Sequence, residues 1–414
     1  MKIGDETNFP YAILSHAWGP EEVLFHEIQG DRAAIQGKAG WEKTVRFCKA
    51  ALENGYTYAW IDTCCIDKRI SADLSEAINS MYRYYYNSAL CIIYLEDVHS
   101  YNKEADNSRK AITREELLAR IRTTRWLTRG WTLQELIAPS RRSYFASDWS
   151  EIEDGDDLLD TIAESAGISR RLLEDRDLLH RVCVGERMKW ASNRQTTREE
   201  DIAYCLAGIF DVSIPVLYGE GGRNAFRRLQ LEIMRMSFDM TIFAWRGDYE
   251  SSGLLARSPA DFRDVPPLAL GPLEMVAPYS MTNTGLTICL GLGFQSRAGE
   301  QKIGRQASGE QLNVAELPAA LLCEVQILGQ WKVPLVYLEP VTDVNLFING
   351  QRRKAYRRVR CAEWLTLSYE QLKDYTYDDI IVLEDENYDF ICRARERHKW
   401  QLQRGLSSND SSRI

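Results

Sequence analysis

The first 150 residues alternate short apolar runs with longer stretches in which apolar side chains return every three or four positions. Tyr11–Ser15 (YAILS), Tyr56–Asp62 (YTYAWID), Leu90–Leu95 (LCIIYL) and Ser143–Ala146 have strand length. Between the first two, Trp41, Val45, Cys48 and Leu52 form a helical stripe, and Gly55 succeeds it as its C-terminal cap. Between the second and third, Leu74, Ile78, Met81, Tyr85 and Ala89 form another. Apolar strands separated by helices predict βαβ units around a parallel sheet.

The pattern then changes. Residues 151–164 (EIEDGDDLLDTIAE) hold seven acids and no base, which marks a boundary or an exposed connecting helix. Helical periodicity continues to about residue 240, with Phe226, Leu229, Ile233 and Met236 on one stripe after the turn Gly219-Glu220-Gly221-Gly222. From 241 onward β-branched and aromatic runs return between Gly, Pro and Asn. The predicted organisation is an α/β domain over 1–150, a helical connecting region over 151–240, a β-rich domain over 241–402 and a disordered tail over 403–414.

Charge narrows the function classes. The 51 Lys+Arg and 60 Asp+Glu leave a formal charge of −9. Residues 1–150 carry 19 bases and 20 acids, so the acidity lies mostly in 151–164. Wrapping of nucleic acid is disfavoured, while a small phosphate-bearing ligand on the near-neutral first domain is not. Ten cysteines without regular spacing fit free thiols in a reducing compartment, hence a cytoplasmic location. Met275–Ser296 is uncharged, but its Pro, Asn, Thr and Gly content argues against a membrane span.

In a parallel α/β sheet, ligands bind beyond the carboxyl ends of the strands. That rule selects Ser15-His16-Ala17-Trp18-Gly19, Asp62-Thr63-Cys64-Cys65 and Glu96-Asp97, together with the Trp- and Arg-rich segment Arg125–Leu136. YAILSHAWG, YAWIDTCCIDK with LSEAINSMYRYYYNSA, and RWLTRGWTLQELIAP resemble, in order, the three blocks of the fungal heterokaryon-incompatibility (HET) domain over about residues 9–149. The segment SNRQTTREEDIAYCLAGIFDVSIPVLYGEGGRNAFRRLQLEI resembles the region C-terminal to that domain in many fungal incompatibility proteins. The stretch that often precedes block one is nearly absent, and no nucleotide-binding domain or repeat array succeeds the match. A short, stand-alone member with a truncated start is therefore expected.

HET domains are distantly similar to Toll/interleukin-receptor (TIR) domains, which are flavodoxin-like, and some TIR domains hydrolyse NAD. The resemblance thus implies a flavodoxin/TIR-like sheet and a cell-death effector in vegetative incompatibility. NAD would be a substrate, with no resident cofactor or metal. Trp131-Thr132-Leu133-Gln134-Glu135-Leu136 places Trp, Glu and Leu at the spacing of the TIR W-C-x-x-E-L motif, with Thr132 in place of Cys. Glu135 is the implied catalytic carboxylate. Ser15, His16, Trp18, Asp62, Arg129 and Trp131 are expected to shape the pocket, Trp18 and Trp131 as stacking faces and Arg129 at the pyrophosphate.

Each candidate has a plainer reading. Glu135 could pair with Arg129 or Arg141 as an ordinary helix glutamate. Asp73-x-x-Glu76 reads as a capping box. Cys65 as nucleophile with His16 as base is a geometric alternative, a thiol hydrolase, though buried structural thiols are commoner. The glycine turn at 219–222 reads as structural, and QRRKAYRRVR (351–360) as a solvated basic face. A third reading makes the first domain a non-catalytic module that self-associates and recruits a protein partner in allorecognition.

Overall fold

The computed structural model describes residues 9–103, 109–270, 278–293, 317–321, 323–341, 346–348, 351–363, 365–373, 375–385, 389 and 393. The chain divides into two compact units, 1–182 with 187–232 and 258–263, and 183–186 with 233–257 and 264–414.

In chain order the first unit contains β1 (Tyr11–His16), α1 (Phe25–Ile28), α2 (Ala39–Glu53), β2 (Tyr58–Trp60), α3 (Asp62–Cys65), α4 (Ser71–Tyr86) and β3 (Leu90–Tyr94). The hairpin β4 (Tyr101–Lys103) and β5 (Arg109–Ala111) comes next, then α5 (Arg114–Arg122), α6 (Arg125–Thr128), α7 (Thr132–Ile137), β6 (Arg142–Phe145) and β7 (Glu151–Ile152). After these come α8 (Asp156–Ala166), α9 (Arg170–Glu174), α10 (Val184–Ala191), α11 (Asp201–Ala207) and α12 (Gly222–Met236).

The sheet order is β2-β1-β3-β6-β7, with the first four strands parallel and β7 antiparallel to β6. β1 and β3 lie inside the sheet and are buried along their whole length, which is why they read as continuous apolar runs. β2 is an edge strand and is half-exposed. On one face Ala12, Leu14, Ile92 and Phe145 pack against Phe47, Ala50 and Ala51 of α2. Side chains alternate along a strand, so Ser15 is on the opposite face, among α4, α6 and α7.

The helix α2 forms where predicted but turns a different stripe inward. Its buried positions are Gly40, Lys43, Phe47, Ala50 and Ala51, whereas Val45 and Leu52 are 46% and 61% exposed. Lys43 hides its charge by pairing with Glu22. A methyl group on Gly40 would come within 2.4 Å of the Glu21 carbonyl oxygen, so that contact requires glycine. Gly55 does terminate the helix, at φ +84°. The expected stripe on α4 is inside at Ile78, Met81 and Tyr85. No capping box begins α4: the N-cap is Ile70, and Asp73 lies within the first turn as an exposed acid facing the helix dipole.

The acidic stretch folds as α8, which buries Leu158, Ile162 and Ala163 while Arg114 and Arg170 neutralise Asp157, Asp156 and Asp160. The helices α8, α9 and α11, with most of α10 and α12, belong to the same unit as the parallel sheet. On α12, Phe226, Leu229 and Ile233 are buried and Met236 is exposed.

The second unit is β-rich among the described residues. Strands Gly285–Leu292, Leu317–Ala320, Gln330–Pro340, Ala355–Val359 and Thr376–Val382 pair in a ring that closes on itself. Tyr279–Thr282 and Gly285–Leu292 are strands, so the described part of the uncharged segment is not helical. No helix among the described residues is long and apolar enough to cross a membrane. The basic run 351–360 is only partly solvated. Arg358 is buried, donating to the carbonyls of Phe243 and Trp245 over the Trp245 ring, because backbone acceptors and a π face replace its water. The tail 403–414 lies outside the described residues.

Candidate functional site

Because β1 sits between β2 and β3, the chain leaves it towards one side and returns on the other. The loops after β1 and β3 diverge there, at the carboxyl edge where such sheets bind ligands. Glu135, in the middle of α7, reaches this place. The Ser15 hydroxyl donates to Glu135 Oε2 at 2.5 Å and accepts from Trp126 Nε1 at 2.8 Å. On the same side the Tyr85 hydroxyl donates to the Leu14 carbonyl at 2.9 Å.

Glu135 is 7% exposed. Burial pushes its pKa up to about 8, the Ser15 hydrogen bond opposes that shift, and the Asp62 carboxylate reinforces it. The carboxyl is therefore poised near neutrality, a property of functional acids and bases. Its hydrogen bond goes to Ser15 and not to an arginine. Arg129 donates to Thr197 at 3.2 Å and Arg141 to the Tyr56 hydroxyl at 3.2 Å, so the plain helix ion pair is not what forms.

His16, Trp18 and Asp62 form a second group at the ends of β1 and β2. Trp18 Nε1 donates to Asp62 Oδ2 at 2.9 Å, and Lys68 Nζ lies 3.5 Å above the exposed Trp18 ring. His16 is 6% exposed, with Nε2 3.8 Å from Glu22 and 3.9 Å from Asp62, and neither ring nitrogen has a hydrogen-bond partner. Burial, then Lys43 and Lys68, hold its pKa well below the usual value, so the imidazole is neutral. Asp62 links the groups, touching Trp18 directly and Glu135 through its field.

Arg129 and Trp131 flank the start of α7, and both bind the helical segment. Trp131 Nε1 donates to Asp201 at 3.3 Å. Trp126, Tyr85 and Arg194 complete the surroundings of Glu135. Trp126 lies in the selected segment Arg125–Leu136 and Tyr85 on the expected stripe of α4, but nothing in the sequence names either of them, or Arg194, as a neighbour of Glu135.

A cleft of about 450 Å³ opens nearby at the carboxyl edge, between Gly19–Glu22, the first turns of α2 and the ends of β3 and β6. Tyr94 and Trp149, stacked at 4.4 Å, line it together with Lys43, Arg46 and Glu96, but Glu135 does not.

For the thiol alternative, the surroundings of Cys65 disfavour the thiolate. Burial pushes Cys65 up to about 11, and its sulfur accepts the Ile61 N–H at 3.5 Å. The glycine turn is closed by the protein itself. Glu200 Oε1 accepts from Gly219 N at 2.7 Å and Gly221 N at 3.2 Å, occupying the place an anion would take. No group of three or more His, Cys, Asp or Glu among the described residues is arranged to hold a metal ion.

Residues 11–135 match the family described as heterokaryon incompatibility protein (HET), and residues 224–280 match a domain of unknown function (DUF8212). The vegetative incompatibility protein HET-E-1 of Podospora anserina is 44% identical over 227 residues, covering 54% of this chain and 16% of that protein. The chain thus spans a small part of the length of the curated relative it matches. No solved structure matches it. Residues 11–135, which run from the first strand of the parallel sheet to Glu135 in α7, thus form a heterokaryon incompatibility (HET) domain.

Proposed function

We propose that the chain acts in vegetative incompatibility as a cytoplasmic cell-death effector, and that its HET domain is a TIR-like, flavodoxin-like module that hydrolyses NAD with Glu135 as the working carboxylate. The observation that carries this reading is the seat of Glu135: a carboxyl with a pKa near 8, oriented by Ser15 at the switch point of a parallel sheet. The strand order 2-1-3-4 supports the flavodoxin-like assignment. The name of the Podospora relative supports the biological role.

The chemistry asks little of the protein. The bond between the ribose carbon and nicotinamide breaks, and the electron pair leaves with nicotinamide, which turns from a cationic pyridinium into a neutral molecule without a general acid. The oxocarbenium-like carbon is stabilised by the ionised form of Glu135, a minority at neutral pH that grows as the pH rises towards about 8, and is captured by water, which then loses a proton. Trp18 and Trp131 offer ring faces, and Arg129 a cation for the pyrophosphate. His16 and Asp62 border the same edge.

A second reading is favoured by the shielding of Glu135, only 7% exposed. In it the domain is an assembly module that self-associates and recruits a partner, and Glu135 organises its core. One experiment separates the two. Purified full-length protein is incubated with NAD at dilute and concentrated protein levels, and nicotinamide release is measured for wild type and Glu135→Gln. Release that falls at least about a hundredfold in the variant, the range expected on losing one transition-state charge, supports hydrolysis. No release at any concentration, with cell killing retained by the variant, supports assembly.

A further inference from the structure

We propose that Arg194 positions the Glu135 helix, so that the working domain runs past the HET match into the helical segment beyond it. Five consecutive residues, Thr128 to Thr132, run from the last residue of α6 to the first of α7. Each of them is held from residues 194–201. Gln195 N donates to the Thr128 carbonyl at 2.7 Å, and Gly130 N to the Gln195 carbonyl at 2.8 Å. Arg129 donates to Thr197 and Trp131 to Asp201. Arg194 Nη1 forks between the Arg129 carbonyl at 2.9 Å and Thr132 Oγ1 at 3.0 Å. The loop is seated so closely that a methyl group on Gly130 would come within 2.5 Å of Thr196 Cγ2 and 3.1 Å of Cys205 Sγ.

Thr132 opens α7 and Glu135 lies one turn further on. A six-residue helix has no stability of its own and takes its direction from its anchors. Arg194 is the anchor with the least ordinary energetics. The residue is 6% exposed, and its guanidinium makes no ion pair among the described residues and leaves Nη2 without a hydrogen-bond partner. Burial pulls its pKa down to about 10, with Glu135 among the groups that oppose the shift. Burying a cation without a counter-ion is unfavourable, so an apolar residue would fill this space at less cost. What an apolar residue cannot supply is the fork onto the first turn of α7 and a positive charge that acts on Glu135 beside that of Arg129.

The meaning of this role for catalysis rests on Glu135 being the working carboxylate, but the test does not. Full-length protein labelled with ¹³C-glutamate is titrated by NMR, with the Glu135 carboxyl resonance assigned by its loss in Glu135→Gln. In folded Arg194→Ala the midpoint of Glu135 is expected to leave its wild-type value by about half a unit or more, and millimolar guanidinium to restore it. A midpoint that stays in place in the folded variant, or a displacement that guanidinium leaves unchanged, overturns the proposal.

If Arg194→Ala does not fold, Gly130→Ala takes its place. It keeps Arg194 and pushes the loop off Thr196, and an unmoved Glu135 midpoint in that variant is equally fatal. Nicotinamide release in the same samples reports separately. If the wild type releases none, the hydrolase reading fails while the positioning role is still decided by the titration. If it does release nicotinamide, Arg194→Ala is expected to lower kcat with little change in KM.

Discussion

The Ser15 hydroxyl donates to Glu135 across 2.5 Å, tying the penultimate residue of β1 to the middle of α7. Trp126 Nε1 in turn donates to the same hydroxyl oxygen, so the serine is fixed in both roles. Ser15→Ala removes the largest influence that lowers the Glu135 pKa and leaves the buried Trp126 N–H unsatisfied. The Glu135 midpoint is expected to rise above about 8, and stability to fall by about 1–3 kcal/mol. Carboxyl NMR titration and thermal melting read the two effects; a midpoint that falls would show that Ser15 does not stabilise the ionised form.

The raised Glu135 pKa also sets a slope of stability with pH. The folded protein holds a proton on this carboxyl up to about 8, whereas the unfolded chain releases it near 4.5. Between those values the folded state binds more protons, so rising pH destabilises it, by at most about 5 kcal/mol across the window. Below the window the penalty is absent, and above it the penalty is complete. Glu135→Gln cannot ionise, and its stability should exceed that of wild type increasingly from pH 5 to 8. Parallel stability curves for the two proteins, measured by urea unfolding at several pH values, would contradict this.

Lys43 and Glu22 hold the packing under α2. Glu22 Oε1 takes the Lys43 ammonium and also accepts from Gly19 N at 2.7 Å. Lys43→Met leaves that buried carboxylate without its cation, at a cost of about 3 kcal/mol. Adding Glu22→Gln removes the charge while keeping an acceptor for Gly19, so the double variant should recover most of the loss. Urea midpoints of the wild type, both single variants and the double variant complete the cycle.

The parts of this fold that can be read from the chain are those with one dominant force. β1 and β3 are legible because a strand covered on both faces must be apolar throughout. Gly55 is legible because only glycine takes its φ cheaply. Periodicity misplaces the inward face of α2 because it ranks Val45 and Leu52 above Lys43 and Gly40. The actual packing of that helix depends on a charge partner, Glu22, and on a backbone contact with Glu21, both in the β1–α1 loop and neither of them local. The site behaves in the same way. A motif spacing is enough to single out Glu135, but Arg194, 59 positions later, meets α7 only after the chain has folded, and no window of sequence holds both.

Cys65 stands just beyond β2, the place that makes it a rival nucleophile. A thiol reacts as thiolate, and burial holds this one protonated up to about 11, against 9.0 for an ordinary thiol. At pH 7.5 its thiolate fraction, and with it the rate of iodoacetamide alkylation, should be about a hundredfold below that of a free cysteine. The rate should keep climbing past pH 10, where exposed thiols have levelled off. Peptide mapping after timed labelling measures Cys65 separately from its neighbour Cys64. Cys65→Ser should leave nicotinamide release as it is in the wild type. Fast labelling of Cys65 at neutral pH, together with loss of function in the serine variant, would move the chemistry from the carboxyl to the thiol.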